Sequence, residues 1–476
     1  MKTKLFSAVC IAGVMLSLNP ALAAAAHKQT PSKLVARAAQ PTARPTAVPT
    51  GVMSQPAAPV RAVSPLPSGS PLSLSDVQKI ALSQSPQLEI ARAAVDQAES
   101  GVAIARSGAL PNVGVQAASD RSKQTFRLGA GTSSSALFTS NNASVSVRQL
   151  IIDGGHVASG VESARYSTDA ARLSLTREIQ TVLLTVSQQY FAALQARYTL
   201  RAALDSLHVA QVQENLVQAQ YRAGVAARAD VLTAQLPVAQ AQLAVMQAQN
   251  GEASNVAALL ATIGLPAQAG VYLKDDTNVS ATAINLSDAV GTAMTQRADL
   301  MAAQANERAA AANVRAAKAS RFPVLAANGS DGTASTSQKG TNYANNYSFG
   351  ASLSFPIFDG GLIRGQTQAA QAQQRTAQAN LQNTQLTVSL NVQQAILGLQ
   401  TAQSALSASN TELAQAKTVL AVTNAQYKAG VTTLPLLLNA QNQLTRAETD
   451  QINALYGYKI AQQALYYAEG SLGPVP

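Results

Sequence analysis

The chain has 476 residues, a formal net charge of +10, one cysteine and no tryptophan. A lone cysteine, Cys10, excludes an intrachain disulfide framework, and its position in the N-terminal apolar run excludes thiol chemistry from everything that follows. Residues 1 to 71 hold seven of the 34 Lys and Arg and none of the 24 acids, so the remainder is close to neutral and whole-chain basicity is no argument for a nucleic-acid partner.

At the N-terminus Lys2 and Lys4 precede an apolar run from Leu5 to Leu18, followed by Ala21, Leu22 and Ala23. This reads as a secretory signal peptide over 1–23, too short to span a bilayer as a helix. Residues 27 to 71 carry nine prolines, five basic residues and no acid; with so little large apolar surface, 24–71 is expected to be a disordered tether. No later stretch reaches 18 consecutive apolar residues, so a membrane-crossing form would have to be a β-barrel.

From Leu72 the chain states the same signals twice. LSLSDVQKIALSQSPQLEIA from Leu72 matches INLSDAVGTAMTQRADLMAA from Ile284, and Pro111 matches Pro323 at an offset of 212. QLIIDGG ending at Gly155 matches PIFDGG ending at Gly361, and YRAGV from Tyr221 matches YKAGV from Tyr427, both at 206. The first repeat is expected over 72–266, with a hairpin at about 110–152, a long helix over 154–222 and a return helix over 230–263. A linker over 267–283 leads to a second repeat over 284–470, with a hairpin at about 323–357, a long helix over 360–428 and a return helix over 433–469. Residues 471–476 form a tail. Register between DGG and the second tyrosine is held without a gap over about seventy proline-free residues, the mark of a helix on the order of 105 Å long.

Before each DGG the period changes to two. Ala143, Val145 and Val147 alternate with Ser144, Ser146 and Arg148, and Tyr347, Phe349, Ala351, Leu353 and Phe355 alternate with serines and Gly350. These are two-faced strands, expected to be about ten residues long, with GAGTSSS and NGSDGTASTS as turns. Four strands cannot close a membrane barrel, so copies must pool them: a dimer of eight or a trimer of twelve. Helices 86–109 and 298–321 with the return helices make second rods beside the long ones, as in the wall of a tube.

Asp153, Gly154, Gly155 and Asp359, Gly360, Gly361 occupy the strand-to-helix junctions, where a carboxylate can accept helix N-terminal N–H groups and glycines allow the tight turn. Gly224 and Gly430 terminate the long helices. Pro237 is expected to kink its helix. His156 and His208 have no ligand-spaced companions, and the tyrosines Tyr456, Tyr458, Tyr466 and Tyr467 are expected to pack. No metal or cofactor is expected, and no nucleophile–base pair or phosphate loop supports an enzyme.

The order of these signals, together with ALSQSPQLEIARAAVDQAESGVAIARSGALPNVGV, resembles the TolC-like outer-membrane efflux and secretion channels from Leu72 to Gly470. The resemblance implies a mainly α, internally duplicated trimer with a twelve-stranded membrane β-barrel set in outer-membrane lipid and a long periplasmic α-helical barrel. It implies docking to a periplasmic adaptor fed by an inner-membrane pump of RND or ABC type, at the cell outer membrane of a Gram-negative bacterium. Docking would involve Gly224, Val225, Gly430 and Val431. The periplasmic aperture would involve Asp230 and Tyr427, matching one link of the family's closed state, with Thr432, Leu436 and Asn439 where the family has one basic and two acidic residues. The expected function is small-molecule export; alternatives are type I protein secretion on the same fold, or a periplasmic coiled-coil or adaptor protein.

Overall fold

In a computed structural model of the protein the described residues are 71–128, 132–267, 269–275, 285–337 and 343–473. The signal peptide, the tether up to residue 70, the linker from 276 and the end of the tail lie outside them.

Each half opens with a short helix whose start is capped. Helix α1 (Leu74–Gln84) begins at Ser73, whose hydroxyl accepts from the Asp76 N–H while the Asp76 carboxylate accepts from the Ser73 N–H at 3.0 Å, a reciprocal pairing that satisfies two orphan donors. It stops at the extended Ser85, because Pro86 cannot continue it. Helix α2 (Pro86–Ser107) follows. In the second half α5 (Leu286–Gln296) and α6 (Ala298–Ala319) repeat the pair, with the bend at Arg297 although no proline follows.

Strands β1 (Asn112–Leu128), β2 (Thr132–Ile152), β3 (Val324–Ser337) and β4 (Ala344–Ser354) form one antiparallel sheet in the order β1-β2-β3-β4. Three of them exceed the expected ten residues, and the segments read as turns are largely strand. All of NGSDGTASTS lies in β3, and Thr132 to Ser135 open β2. The polar residues deceived because both faces of the sheet are polar away from its helical end, which erases the period-two contrast. Gly332 is a close-approach glycine, not a breaker: a Cβ there would meet the Ala143 carbonyl oxygen at 2.6 Å.

The long helices α3 (His156–Arg222) and α7 (Leu362–Lys428) each have 67 residues, roughly 100 Å of rod. Return helices α4 (Arg228–Thr262) and α8 (Leu434–Glu469) pack antiparallel on them. Pro237 lies inside α4 without ending it. The main apolar core, where α1, α2, α3 and the end of α4 meet, includes Val77, Leu88, Val186, Tyr190, Leu194 and Leu260, with Tyr456 of α8 closing it. A second core joins α5, α6, α7 and α8 through Leu300, Val388, Val392, Leu399, Tyr458 and Leu465.

The two halves are equivalent in element order but not in surroundings. Helix α6 packs between α3 and α7, and α8 crosses onto α3. The reciprocal packings, α2 along α7 and α4 along α7, are not among the extended helix contacts of the described residues, so α3 is flanked on more sides while α7 keeps an open flank.

Candidate functional site: strand faces, junctions and helix tips

The strand register separates the sheet into two faces. Val113, Val115 and Ala117 of β1, Ala143, Val145 and Val147 of β2, Leu325 and Ala327 of β3 and Tyr347, Phe349, Ala351 and Leu353 of β4 share one side. The other carries Asn112, Gln116, Ser144, Ser146, Arg148, Asn328, Ser330, Ser348 and Ser352. The polar residues satisfy one another: Asn328 Nδ2 donates to Ser352 Oγ at 3.0 Å, and the Ser330 and Ser348 hydroxyls pair at 2.8 Å. Large apolar groups stand in the open on the first face, with Tyr347 and Phe349 among the most exposed residues. An apolar face beside an amide- and hydroxyl-lined face is the arrangement of a strand between lipid and a watery lumen. β1 and β4 each keep one unpaired edge.

Both junctions are built alike. Gly154 and Gly155 have φ of 65° and 91°, and Gly360 and Gly361 have 63° and 91°, a left-handed pair that glycine adopts without steric cost. Asp153 accepts from the N–H groups of Gly155 at 3.0 Å and Val157 at 2.5 Å; Asp359 accepts from Gly361 at 2.9 Å and Ile363 at 2.7 Å. The Ile363 and Gly361 N–H groups hold the Asp359 carboxyl below the usual carboxylate range. The junctions differ in what lies against them. A Cβ on Gly154 would meet Phe322 Cβ at 2.4 Å, whereas at Gly360 nothing lies within 4 Å.

At the far end, Gly224 and Gly430 close the long helices with φ of 77° and 74°, and the N–H groups of Val225 and Val431 return to Gln220 and Gln426 at 2.9 and 3.0 Å. This glycine closure leaves Val225 and Val431 79% and 75% exposed, two apolar knobs at the tips. Asp230 and Tyr427 are not joined to each other. The Asp230 carboxylate accepts from the Ala227 N–H at 3.0 Å as a helix-start cap, and the Tyr427 hydroxyl donates to Gln220 Oε1 at 3.3 Å. Thr432 is half-buried, while Leu436 and Asn439 are exposed on the face of α8 opposite Leu434 and Leu438, which pack on Val217 and Ala234. Among the described residues no group of His, Cys, Asp and Glu could hold a metal ion, and no helix is long and apolar enough to cross a membrane. His156 Nδ1 lies 2.9 Å from the Ala316 carbonyl oxygen.

Sequence reasoning missed a charged cluster at the α5–α6 bend. Arg297, almost wholly buried, grips Asp299 through Nε at 3.0 Å and a terminal nitrogen at 2.6 Å, and reaches the Ala468 carbonyl at 3.3 Å. Arg177 of α3 lies 3.7 Å from Asp299 and 3.6 Å from the Tyr467 ring centre. Burial pushes the Asp299 carboxyl up, but the Arg297 hydrogen bonds and the two guanidiniums outweigh it and hold it below the usual range.

A four-stranded antiparallel sheet with one apolar face, two glycine-hinged junctions and paired long helices with return helices correspond to one known architecture. The sequence model described as "Outer membrane efflux protein" matches residues 77–265 and 289–471, well over half of the chain and once in each half. The chain belongs to this family. It is 28% identical to the pyoverdine export outer membrane protein OpmQ of Pseudomonas putida over 407 residues, covering 83% of this chain and 85% of that one. It is 27% identical to the protein CyaE of Bordetella pertussis over 408 residues, covering 84% and 85%. Among solved structures, the outer-membrane channel OprN matches with a TM-score of 0.72 at 22% identity, over 84% of this chain and 90% of that one. The protein is thus an outer-membrane efflux channel component, mainly helical with four strands per chain, its helices on the periplasmic side.

Proposed function

We propose that three copies pool their strands into a twelve-stranded barrel continued by a periplasmic helical tunnel, the exit duct of a tripartite export system. The observation that carries this is the unequal surroundings of equivalent positions. Ile90 and Ile104 on α2 are each 72% exposed, while their counterparts on α6, Ala302 and Ala316, are 6% and 9% exposed because α3 covers them. On α7, Leu386, Leu390 and Leu397 are exposed, whereas Phe191, the counterpart of Leu397 on α3, is buried. Apolar side chains of this size left in water on helices that otherwise match point to a missing neighbour, and α7 of one copy against α2 of the next supplies it. The same step pairs β4 of one copy with β1 of the next and removes the free edges that lipid does not tolerate.

In this assembly Gly224, Val225, Gly430 and Val431 are the docking points for a periplasmic adaptor served by an inner-membrane pump of RND or ABC type. Asp230, Tyr427, Thr432, Leu436 and Asn439 border the aperture. The name of the OpmQ relatives, pyoverdine export, favours small-molecule cargo over a secreted polypeptide. The chain performs no chemistry of its own in this reading. The test places single cysteines at Ala227 and Thr433, cross-links in living cells and identifies the product by mass spectrometry. A periplasmic adaptor whose operon partner is a small-molecule pump is expected. An adaptor paired with a protein-secretion transporter overturns the cargo, and the absence of any adaptor overturns the tip docking.

A further inference from the structure

We infer that the outward face of the β1–β2 hairpin carries a phosphate-binding row for the headgroups of outer-leaflet lipid; the inference rests on the barrel reading above. The ladder between β1 and β2 runs well past β3 and β4. Ala334 and Ala344 form the last described pair between β3 and β4, level with Asn142 of β2 and Ala118 of β1; β2 and β3 stay paired to Thr139 and Ser337, level with Arg121, and β1 and β2 to Leu128 and Thr132. Among the described residues only the β1–β2 ladder continues past the level of Arg121, on the end away from the helices.

Along β1, side-chain parity decides what each residue meets. Val113, Val115 and Ala117 form the apolar band, and the same parity continues through Ser119 to Arg121 and Lys123. Arg121 lies four residues beyond Ala117 and Lys123 six, roughly 10 and 16 Å above the band in a strand tilted as barrel strands are. That is the depth at which a bilayer changes from hydrocarbon to headgroup. Long basic side chains there keep their stems along apolar surface and their charge among polar groups.

Both side chains are exposed, and neither has an ion-pair partner among the described residues. Asp120 has the opposite parity and faces the lumen side, and Asp331, the acid of the outward face in β3, pairs with Val145, six residues along β2 from the Thr139 that faces Arg121. Two cations without an ion-pair partner among the described residues, at headgroup depth next to a lipid-facing band, fit phosphate, the anionic group that a lipid surface presents there.

The test uses the full chain in detergent and counts bound glycolipid by native mass spectrometry, with bis-phosphorylated lipid A and its enzymatically dephosphorylated form as probes. Arg121→Gln with Lys123→Gln is expected to weaken retention of the phosphorylated form by roughly 30-fold, about fivefold per charge. Arg148→Gln, on the polar face, leaves it unchanged, and the charge-preserving pair Arg121→Lys with Lys123→Arg retains it. Dephosphorylated lipid A binds weakly and equally to all variants. Equal retention by wild type and the glutamine double variant, or no preference for phosphate in the wild type, overturns the row and leaves the barrel intact. A wild-type chain that stays soluble without detergent and retains neither lipid overturns the barrel reading and the row with it.

Discussion

The bend between α1 and α2 and the bend between α5 and α6 occupy the same place in the two halves and are held by opposite means. At the first, Ser85 is buried with its hydroxyl unpartnered, Pro86 ends the preceding helix, and the surroundings are the large apolar side chains of the main core. At the second there is no proline, the helices around it are rich in alanine, and Arg297, Asp299 and Arg177 tie α6 to α3 and to the end of α8. Duplication copied the architecture, and each copy then found its own way to fix the angle: bulk and a proline in one, a directional charged cluster in the other. Both arrangements also bridge the halves, the ion cluster through Arg177 and the apolar core through Tyr456.

Breaking the cluster gives the largest expected effect. Asp299→Asn leaves a buried guanidinium without its counter-charge and should destabilise the fold by about 3 kcal/mol, read as a shift in urea midpoint. Ser85→Ala, at the equivalent place, should be nearly neutral. The same contrast has a pH signature. Because the folded Asp299 carboxyl sits below its ordinary value, its contribution is full above about pH 4 and is lost as pH falls through the lower folded value. The stability gap between wild type and Asp299→Asn should therefore narrow toward pH 3, and a gap that widens would contradict the cluster.

A second comparison concerns the junction glycines. Gly154→Ala meets both a left-handed φ and Phe322, and should cost about 2–3 kcal/mol in the dissociated chain, whereas Gly360→Ala meets only the φ strain, about 1 kcal/mol. In the assembled form the two should converge, because Leu110 of a neighbouring copy then stands where Phe322 stands against Gly154. Thermal unfolding in dissociating and non-dissociating detergent checks this. Asp153→Ala, at the same junction, should cost about 1 kcal/mol for a lost helix-start acceptor, measured the same way.

Much of this was legible in the chain. The repeated DGG and Y-[RK]-A-G-V signals located both junctions and both tips because glycine with positive φ leaves a sequence mark that other turns do not. The equal spacing between them anticipated two helices of equal length. The strand ends were not legible, since Ser119, Asn141 and Ser335 on one face and Ser122, Asn142 and Thr336 on the other are all polar, so that the sequence there carries no period. The charged cluster left one unread trace: at the repeat offset, Arg297 and Asp299 stand where the first half has Ser85 and Gln87, and Arg177 stands opposite Asn383. A charge appearing in one copy of a duplicated element, facing another charge in the other half, was the signal to follow. The link matched between Asp230 and Tyr427 could not be judged from residue type, because a carboxylate near a helix start caps that helix equally well, and here it does so.

In the proposed trimer, α2 of one copy fills the open flank of α7 in the next. Ala93 and Thr376 are exposed counterparts of Ala305 and Ala170, which share a small buried cluster between α6 and α3. Beyond Cys10 the chain has no other thiol, and α2 and α7 do not pack along each other within one copy, so a chain carrying Ala93→Cys with Thr376→Cys is expected to form this disulfide between copies. On mild oxidation in the membrane the account predicts a covalent trimer for the double variant and no ladder for either single one. A double variant that stays monomeric, or stops at a closed dimer, would contradict it.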